Sequence, residues 1–164
     1  MEIRALMPED DLLDVSNIYE CSWKHAYKNI VPQSFLESIP KGRWAGRITR
    51  KGMNNLLLVE DGIFAGTACY CRSRWEKYSD YGEIATIYLM PEFTRKGHGT
   101  LLLSKCIEEL KGLGFKNVLI WVLEDNFAAR RFYEKLGFRL SEEYMDDNIG
   151  GKNLREIMYT YEIK

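Results

Sequence analysis

The stretch "EIATIYLMPEFTRKGHGTLLLSKCIEEL" (83–110) constrains the fold more than any other part of the chain. Its first residues are apolar and β-branched, the composition of a central strand, and Pro91 ends them. Beyond the glycines, Leu102, Leu103, Cys106, Ile107 and Leu110 recur at helical spacing. Gly97 and Gly99 lie between, where the chain must turn sharply. A strand, a tight turn and a helix collect unbonded backbone N–H groups at the positive end of the helix dipole. Such a point binds phosphate. Gly97 and Gly99 let the backbone approach an anion, and Arg95 and Lys96 add charge. The same spacing also fits an ordinary turn before a helix. Two nucleotide motifs are excluded: no Gly-Lys-Ser/Thr follows four residues after a first glycine, and Leu102 stands where a dinucleotide fingerprint needs its third glycine.

The remaining periodicities place the other elements around this unit. "MEIRAL" alternates like a first strand. A helix is expected from near Pro8, with Leu12, Val15, Ile18, Tyr19, Ser22, Trp23 and Ala26 on one face. "VPQSFLESIP" is bracketed by prolines and reads as a short helix, and "GRWAGRITRK" as another. "NLLLVEDGIFAGTACYCRS" is two strands joined at Asp61-Gly62, a strong two-residue hairpin signal. "RWEKYSDYG" is a polar, aromatic loop, "NVLIWVL" a buried strand, and "NFAARRFYEKLGF" a helix stopped by Gly137. The tail with "LREIMYTYEI" closes in strands. No repeat, low-complexity segment or linker interrupts this order, so a single α+β domain over 1–164 is expected.

Composition excludes several classes. With 164 residues the chain has room for one domain with a core. A net charge of −1 gives no basic excess for nucleic acid. No run approaches the roughly 20 apolar residues of a membrane helix, and "MEIRALMPEDD" lacks the apolar core of a signal peptide. The four cysteines read as reduced core residues of a cytosolic protein. Cys69 and Cys71 share a strand face, with no second ligand pair at zinc-like spacing, so no metal is expected. No Gly-x-Ser-x-Gly elbow supports a serine hydrolase.

A second stretch, "WVLEDNFAARRFYEKLGF", joins "TRKGHG", "SWKHAYKNIVPQSFL", "GEIATIYLMPEF" and "IGGKNLREIMY" in an order that resembles the GNAT superfamily of acetyl-CoA-dependent N-acetyltransferases, in particular its small bacterial members. The resemblance spans nearly the whole chain. It implies an α+β fold, an α/β/α sandwich. Its central sheet has about seven strands, mixed and mostly antiparallel, splayed between the fourth and fifth and flanked by helices. The family's pyrophosphate loop has the pattern Gln/Arg-x-x-Gly-x-Gly/Ala. "TRKGHG" departs from it only in Thr94 at the first position.

The resemblance implies acetyl-CoA (coenzyme A) as co-substrate, no metal, a small-molecule or peptide amine as acceptor, and direct attack of the amine on the thioester. Cofactor contacts fall on Arg95, Lys96, Gly97, His98, Gly99 and Thr100 in the loop, on Leu89 through its backbone N–H, and on Asn126, Ala129 and Phe132. Tyr133 lies seven residues, about two turns, beyond Asn126. An ordinary phenol, with a pKa of about 10, remains protonated near neutrality and suits protonation of the departing thiolate. A plain aromatic core residue beside Phe132 is the other reading of Tyr133.

The general base has several readings. Glu83 stands where many relatives carry a glutamate, and is either that base or a solvated carboxylate at a strand end. Glu156 alternates with Leu154 and Met158, and either faces an acceptor amine or pairs with a core arginine. A partly neutral amine in a dry site needs no base. Trp23 and Tyr27, four apart on one helix face, line the acceptor pocket or pack the core; His25 is expected at the surface. Two alternatives accompany the enzyme: a non-catalytic acyl-CoA sensor, and acetylation of ribosomal-protein N-termini. The N-terminal acetyltransferases resemble one another in a Leu-Glu-Val-Arg run on the fifth strand, and in this chain Trp121 stands at that glutamate. The resemblance also allows a homodimer.

Overall fold

Asp61 and Gly62 both adopt left-handed backbone, with φ of 51° and 78°, the combination a two-residue hairpin turn requires. In the computed structural model, which describes residues 1–164, they join β2 (Asn54–Glu60) to β3 (Ile63–Arg72). β1 (Glu2–Ala5) pairs antiparallel with β2, and β4 (Gly82–Leu89) pairs antiparallel with β3. A second block contains β5 (Asn117–Leu123), β6 (Arg139–Ile149) and β7 (Lys152–Glu162), with β7 central and antiparallel to both neighbours. The order across the seven-stranded sheet is β1-β2-β3-β4-β5-β7-β6.

The two blocks meet between β4 and β5, the one parallel pair. It consists of Gly82 opposite Val118 and Glu83 opposite Leu119. A parallel pair needs a crossover, supplied here by α4 (His98–Gly112). The stripe Leu102, Leu103, Cys106 and Leu110 is fully buried against Ile84, Val118, Ile120 and Tyr159. Each leucine so buried contributes roughly 2 kcal/mol. α5 (Phe127–Lys135) adds Tyr133 to this side. α1 (Leu12–Ala26), α2 (Gln33–Ser38) and α3 (Ala45–Ile48) cover the other sheet face through Val15, Tyr19, Leu36 and Ile48. The result is the expected α/β/α sandwich. No helix is long and apolar enough to cross a membrane.

Some boundaries differ from expectation for local reasons. α1 begins at Leu12, because the Asp11 carboxylate accepts the Leu13 N–H and caps it. Pro8 lies in the preceding turn. The third helix is a single turn. Ala26 is exposed, while Glu20, a polar position in the pattern, is buried and accepts from Ser16 Oγ and Gly42 N–H. That bond ties α1 to the segment leading into α3.

Candidate active site

The site begins where the sheet opens. Beyond Glu83 and Leu119, β4 and β5 no longer pair, so the β4 edge toward β5 carries unpaired backbone groups. Met90 N–H bonds Ala65 O on the β3 side at 2.9 Å. Because N–H groups alternate along a strand, the Leu89 N–H points the other way, into the cleft. It is a donor aimed at open space, as an oxyanion contact requires.

The loop 94–97 borders this cleft. Arg95 and Gly97 take φ of 61° and 86°, and a left-handed arginine is a strained position. Gly97 caps α4 without a side chain, and Leu101 is the first residue whose N–H bonds back, to Gly97 O at 3.2 Å. The N–H groups of His98, Gly99 and Thr100 therefore stay free at the helix start. Arg95 and Lys96 are exposed beside them. Thr94 Oγ1 is occupied within its own turn, donating to Pro91 O at 2.7 Å. A Cβ on Gly99 would come within 3.4 Å of Phe132 Cζ and 3.7 Å of Leu89 Cδ1. The loop, β4 and α5 thus meet at one glycine.

Asn126 caps α5, its Oδ1 accepting the Ala129 N–H at 3.2 Å. This bond uses Ala129 N–H and leaves the Asn126 amide hydrogens as donors. Two turns on, Tyr133 is buried against Phe132, Phe138 and Tyr159. Burial pushes its phenol well above the ordinary value, with Tyr88 and Cys106 adding to the shift. The hydroxyl therefore keeps its proton throughout the neutral range.

The face of the cleft toward α1 carries the remaining polar groups. Glu83 is neither free nor solvated: it is 1% exposed. Its Oε1 accepts from Arg74 Nη2 at 2.6 Å and Nε at 3.2 Å, and its Oε2 from the Arg74 backbone N–H at 2.9 Å. The solvated strand-end reading is thereby corrected. The Arg74 fork draws the acid in, because a buried carboxylate requires a partner. Glu156 stands opposite Leu123 on β7, half-buried. Burial raises its carboxyl pKa, the neighbouring Asp147 raises it further, and Arg74 opposes both.

Aromatic side chains wall this face. Trp23 Nε1 donates to the Tyr88 hydroxyl at 3.1 Å, and Tyr27 packs edge-on to Trp23 at 4.9 Å. Trp23 and Tyr27 belong to a packed cluster and also adjoin Tyr88. His25 is exposed. Trp75, from the β3–β4 loop, lies on Trp121 with centroids 4.9 Å apart. Both indole N–H groups are enclosed without a protein acceptor. Lys77 and Tyr78 of the same loop bond Glu143 on β6, stretching the loop across this face. Burial raises the Cys69 and Cys71 thiols to about 12 and about 11, which removes them as nucleophiles. No three His, Cys, Asp or Glu side chains converge where they could hold a metal ion.

Arg74, Trp75 and Tyr88 were absent from the candidates that sequence alone supplied. Tyr88 follows Glu83 at an odd spacing, which a regular strand would send to the opposite face. The pairing skips Ala85, with Tyr70 opposite Ile84 and Cys69 opposite Thr86. This bulge returns Thr86 and Tyr88 to the Glu83 face.

A mixed sheet split between two parallel strands, with free N–H groups beside the split, defines a protein that can lay an extended phosphorylated co-substrate into its own sheet. The model of the acetyltransferase (GNAT) family matches residues 12–138, and the chain belongs to that family. It is 29% identical over 152 residues to the uncharacterized N-acetyltransferase YuaI of Bacillus subtilis, covering 90% of this chain and 86% of the relative. It is 28% identical over 147 residues to a spermidine N(1)-acetyltransferase of Thermoplasma acidophilum, covering 87% and 90%. The crystal structure of a PaiA N-acetyltransferase from Thermoplasma acidophilum in complex with coenzyme A has the same fold. Its TM-score is 0.77 at 22% identity, over 99% of this chain and all of the other. Acetyl-CoA is the family's acyl donor and the co-substrate here. The free N–H groups at the α4 start and the Leu89 N–H are donors of the kind its diphosphate and thioester require.

Proposed function

We propose that this chain transfers the acetyl group of acetyl-CoA to a primary amine by direct attack, with Glu156 receiving the amine and Tyr133 protonating the thiolate. The observation that carries this reading is the division of labour on one cleft. Arg74 occupies Glu83, Glu156 is the cleft-face carboxylate left without an ion pair and with a raised pKa, and Tyr133 holds its proton.

The diphosphate sits on the N–H groups of 98–100 with Arg95 and Lys96 alongside. The amide hydrogens of Asn126 and the exposed β4 edge hold the pantetheine arm, and Phe132 packs between loop and helix. The Leu89 N–H donates to the carbonyl oxygen as charge develops there. The amine nitrogen forms a bond to the carbonyl carbon and loses a proton to Glu156, directly or through water. The carbon–sulfur bond breaks, and the sulfur takes the Tyr133 proton, which solvent later replaces. The products are the N-acetylamine and the free thiol.

The acceptor we propose is a small di- or polyamine. Asp147 shares the Glu156 face of β6–β7, opposite Leu154. A groove of ≈ 660 Å³ lined by Glu124, Asp125, Asp147 and an Asp146 paired with Arg155 lies beside Asp147. A second ammonium on the acceptor would lie among these carboxylates while the first reacts, and Trp23, Tyr27 and Tyr88 offer it aromatic faces. The likeness to a spermidine acetyltransferase supports the same class. Acetylation of protein N-termini is less well served, because Trp121, packed on Trp75, replaces the glutamate those relatives resemble one another in. Comparing kcat/KM for monoamines, diamines and N-terminal peptides of matched length tests the acceptor class. A clear preference for diamines is expected, and preference for an uncharged-tail peptide overturns it. Binding of acetyl-CoA with no thiol release on any amine would favour the sensor instead.

A further inference from the structure

His98 opens α4 yet is buried, 5% exposed, at a point where a diphosphate loop needs only backbone. Its Nδ1 lies 2.9 Å from Phe93 O and its Nε2 lies 2.6 Å from Glu60 Oε2. The ring therefore bridges the two ends of the loop, residues 93 and 98, and anchors both to the end of β2 beside the Asp61-Gly62 turn. A carbonyl only accepts, so Nδ1 carries the hydrogen shared with Phe93 O. Glu60 Oε2 is enclosed and makes no aligned hydrogen bond, so the His98 ring is the polar group it faces. The ring and the carboxylate thus form a closed polar contact at the end of the loop.

We propose that His98 and Glu60 are positioning residues for coenzyme A, a strap that holds the loop in its diphosphate-binding shape. This rests on the acetyl-CoA reading of the site above. The loop needs such a strap because Arg95 is held at φ 61°, which an unrestrained arginine leaves. Packing adds to it: the Phe93 ring meets His98 edge-on at 6.0 Å and carries Lys96 Nζ at 5.2 Å on its face. The strap thereby sets the direction of Lys96 as well as of the N–H groups.

The test breaks the contacts of the ring one at a time. His98→Asn keeps a donor near the Nδ1 position and His98→Gln keeps one near Nε2, while Glu60→Ala removes the anchor and Glu60→Gln restores an acceptor. Coenzyme A affinity by calorimetry and kinetics with acetyl-CoA and acetyl-pantetheine are measured for each. We expect His98→Asn, His98→Gln and Glu60→Ala each to weaken coenzyme A binding roughly tenfold, the scale of one hydrogen bond to a charged group. KM for acetyl-CoA rises in step and kcat at saturation holds. Glu60→Gln recovers part of the loss. The defect is confined to the donor that carries the diphosphate, so kcat/KM with acetyl-pantetheine moves less than about twofold, well inside that one-bond scale. Equal losses with both donors mean a merely structural pair and overturn the proposal, as does wild-type affinity in all variants. Should the His98 replacements fail to fold, Glu60→Ala and Glu60→Gln decide between the same outcomes. A wild-type protein that binds no coenzyme A overturns the acetyl-CoA reading itself, and the strap with it.

Discussion

Glu83 and Leu119 are the last residues at which β4 and β5 pair, and Glu83 is also the residue that Arg74 seals into the protein. The vertex of the cleft is therefore an ion pair. Removing one partner of a buried pair costs about 3–5 kcal/mol. The Arg74 side chain is 57% exposed, so water replaces part of what is lost and about 2 kcal/mol is expected for Arg74→Ala. Denaturant midpoints check this. Glu83→Gln in the same background should return much of the stability. If Glu83 were instead the proton acceptor, Glu83→Gln alone would abolish turnover and leave Arg74→Ala stable.

Tyr133→Phe removes the proposed acid and keeps the packing against Phe138 and Tyr159. Turnover should fall about 10²-fold, the low end for general acid catalysis, with KM for acetyl-CoA unchanged. Because burial raises the phenol pKa, wild-type kcat should not decline on the alkaline side before about pH 10, the ordinary phenol value. An alkaline limb near pH 8 that disappears in Tyr133→Phe would contradict this assignment.

Glu156 must be ionised to receive an ammonium or a proton. Its carboxyl pKa is raised by burial and by Asp147, so activity should be lost as pH falls through a value above the ordinary carboxylate range. Asp147→Asn removes a raising charge and should move that limb to lower pH. Glu156→Gln should abolish it and lower kcat/KM for the amine by about 10²-fold. Profiles of kcat/KM against pH for the three proteins decide this.

Gly97 has φ of 86°, and a Cβ there would meet nothing within 4 Å. The obstacle to a side chain is conformational, not steric crowding. Gly97→Val should weaken coenzyme A binding at least tenfold, because a β-branched residue leaves the left-handed region at a cost of about 1–3 kcal/mol and the N–H groups of 98–100 turn with it. Calorimetry with coenzyme A and a thermal melt separate loss of the loop shape from loss of the fold.

Much of the architecture was legible because each element carried its own signal. Asp61-Gly62 fixed a hairpin, Leu102 to Leu110 a core-facing helix, and Gly137 (φ 92°) a helix end. Residues assigned through a motif, such as Gly97, Asn126 and Tyr133, were legible in position, since a motif is a local spacing. Partnerships across the sheet were not. Nothing near Glu83 in the sequence announces Arg74 as its counter-ion, and nothing near His98 announces Glu60, which lies on β2. Tyr88 was hidden by the Ala85 bulge, which shifts the period-2 pattern of β4 by one residue. The burial of Glu20 had no sequence signal either, because one of its partners, the Gly42 N–H, comes from a distant segment.

The most direct test of the account is simultaneous measurement of free thiol and N-acetylated product from acetyl-CoA and a diamine. Direct attack with Glu156 and Tyr133 predicts the two in equal amounts, with thiol release absent when the amine is omitted and lost in the Tyr133→Phe, Glu156→Gln double substitution. Thiol released without amine, or coenzyme A bound with no acetylated product from any amine, would contradict it.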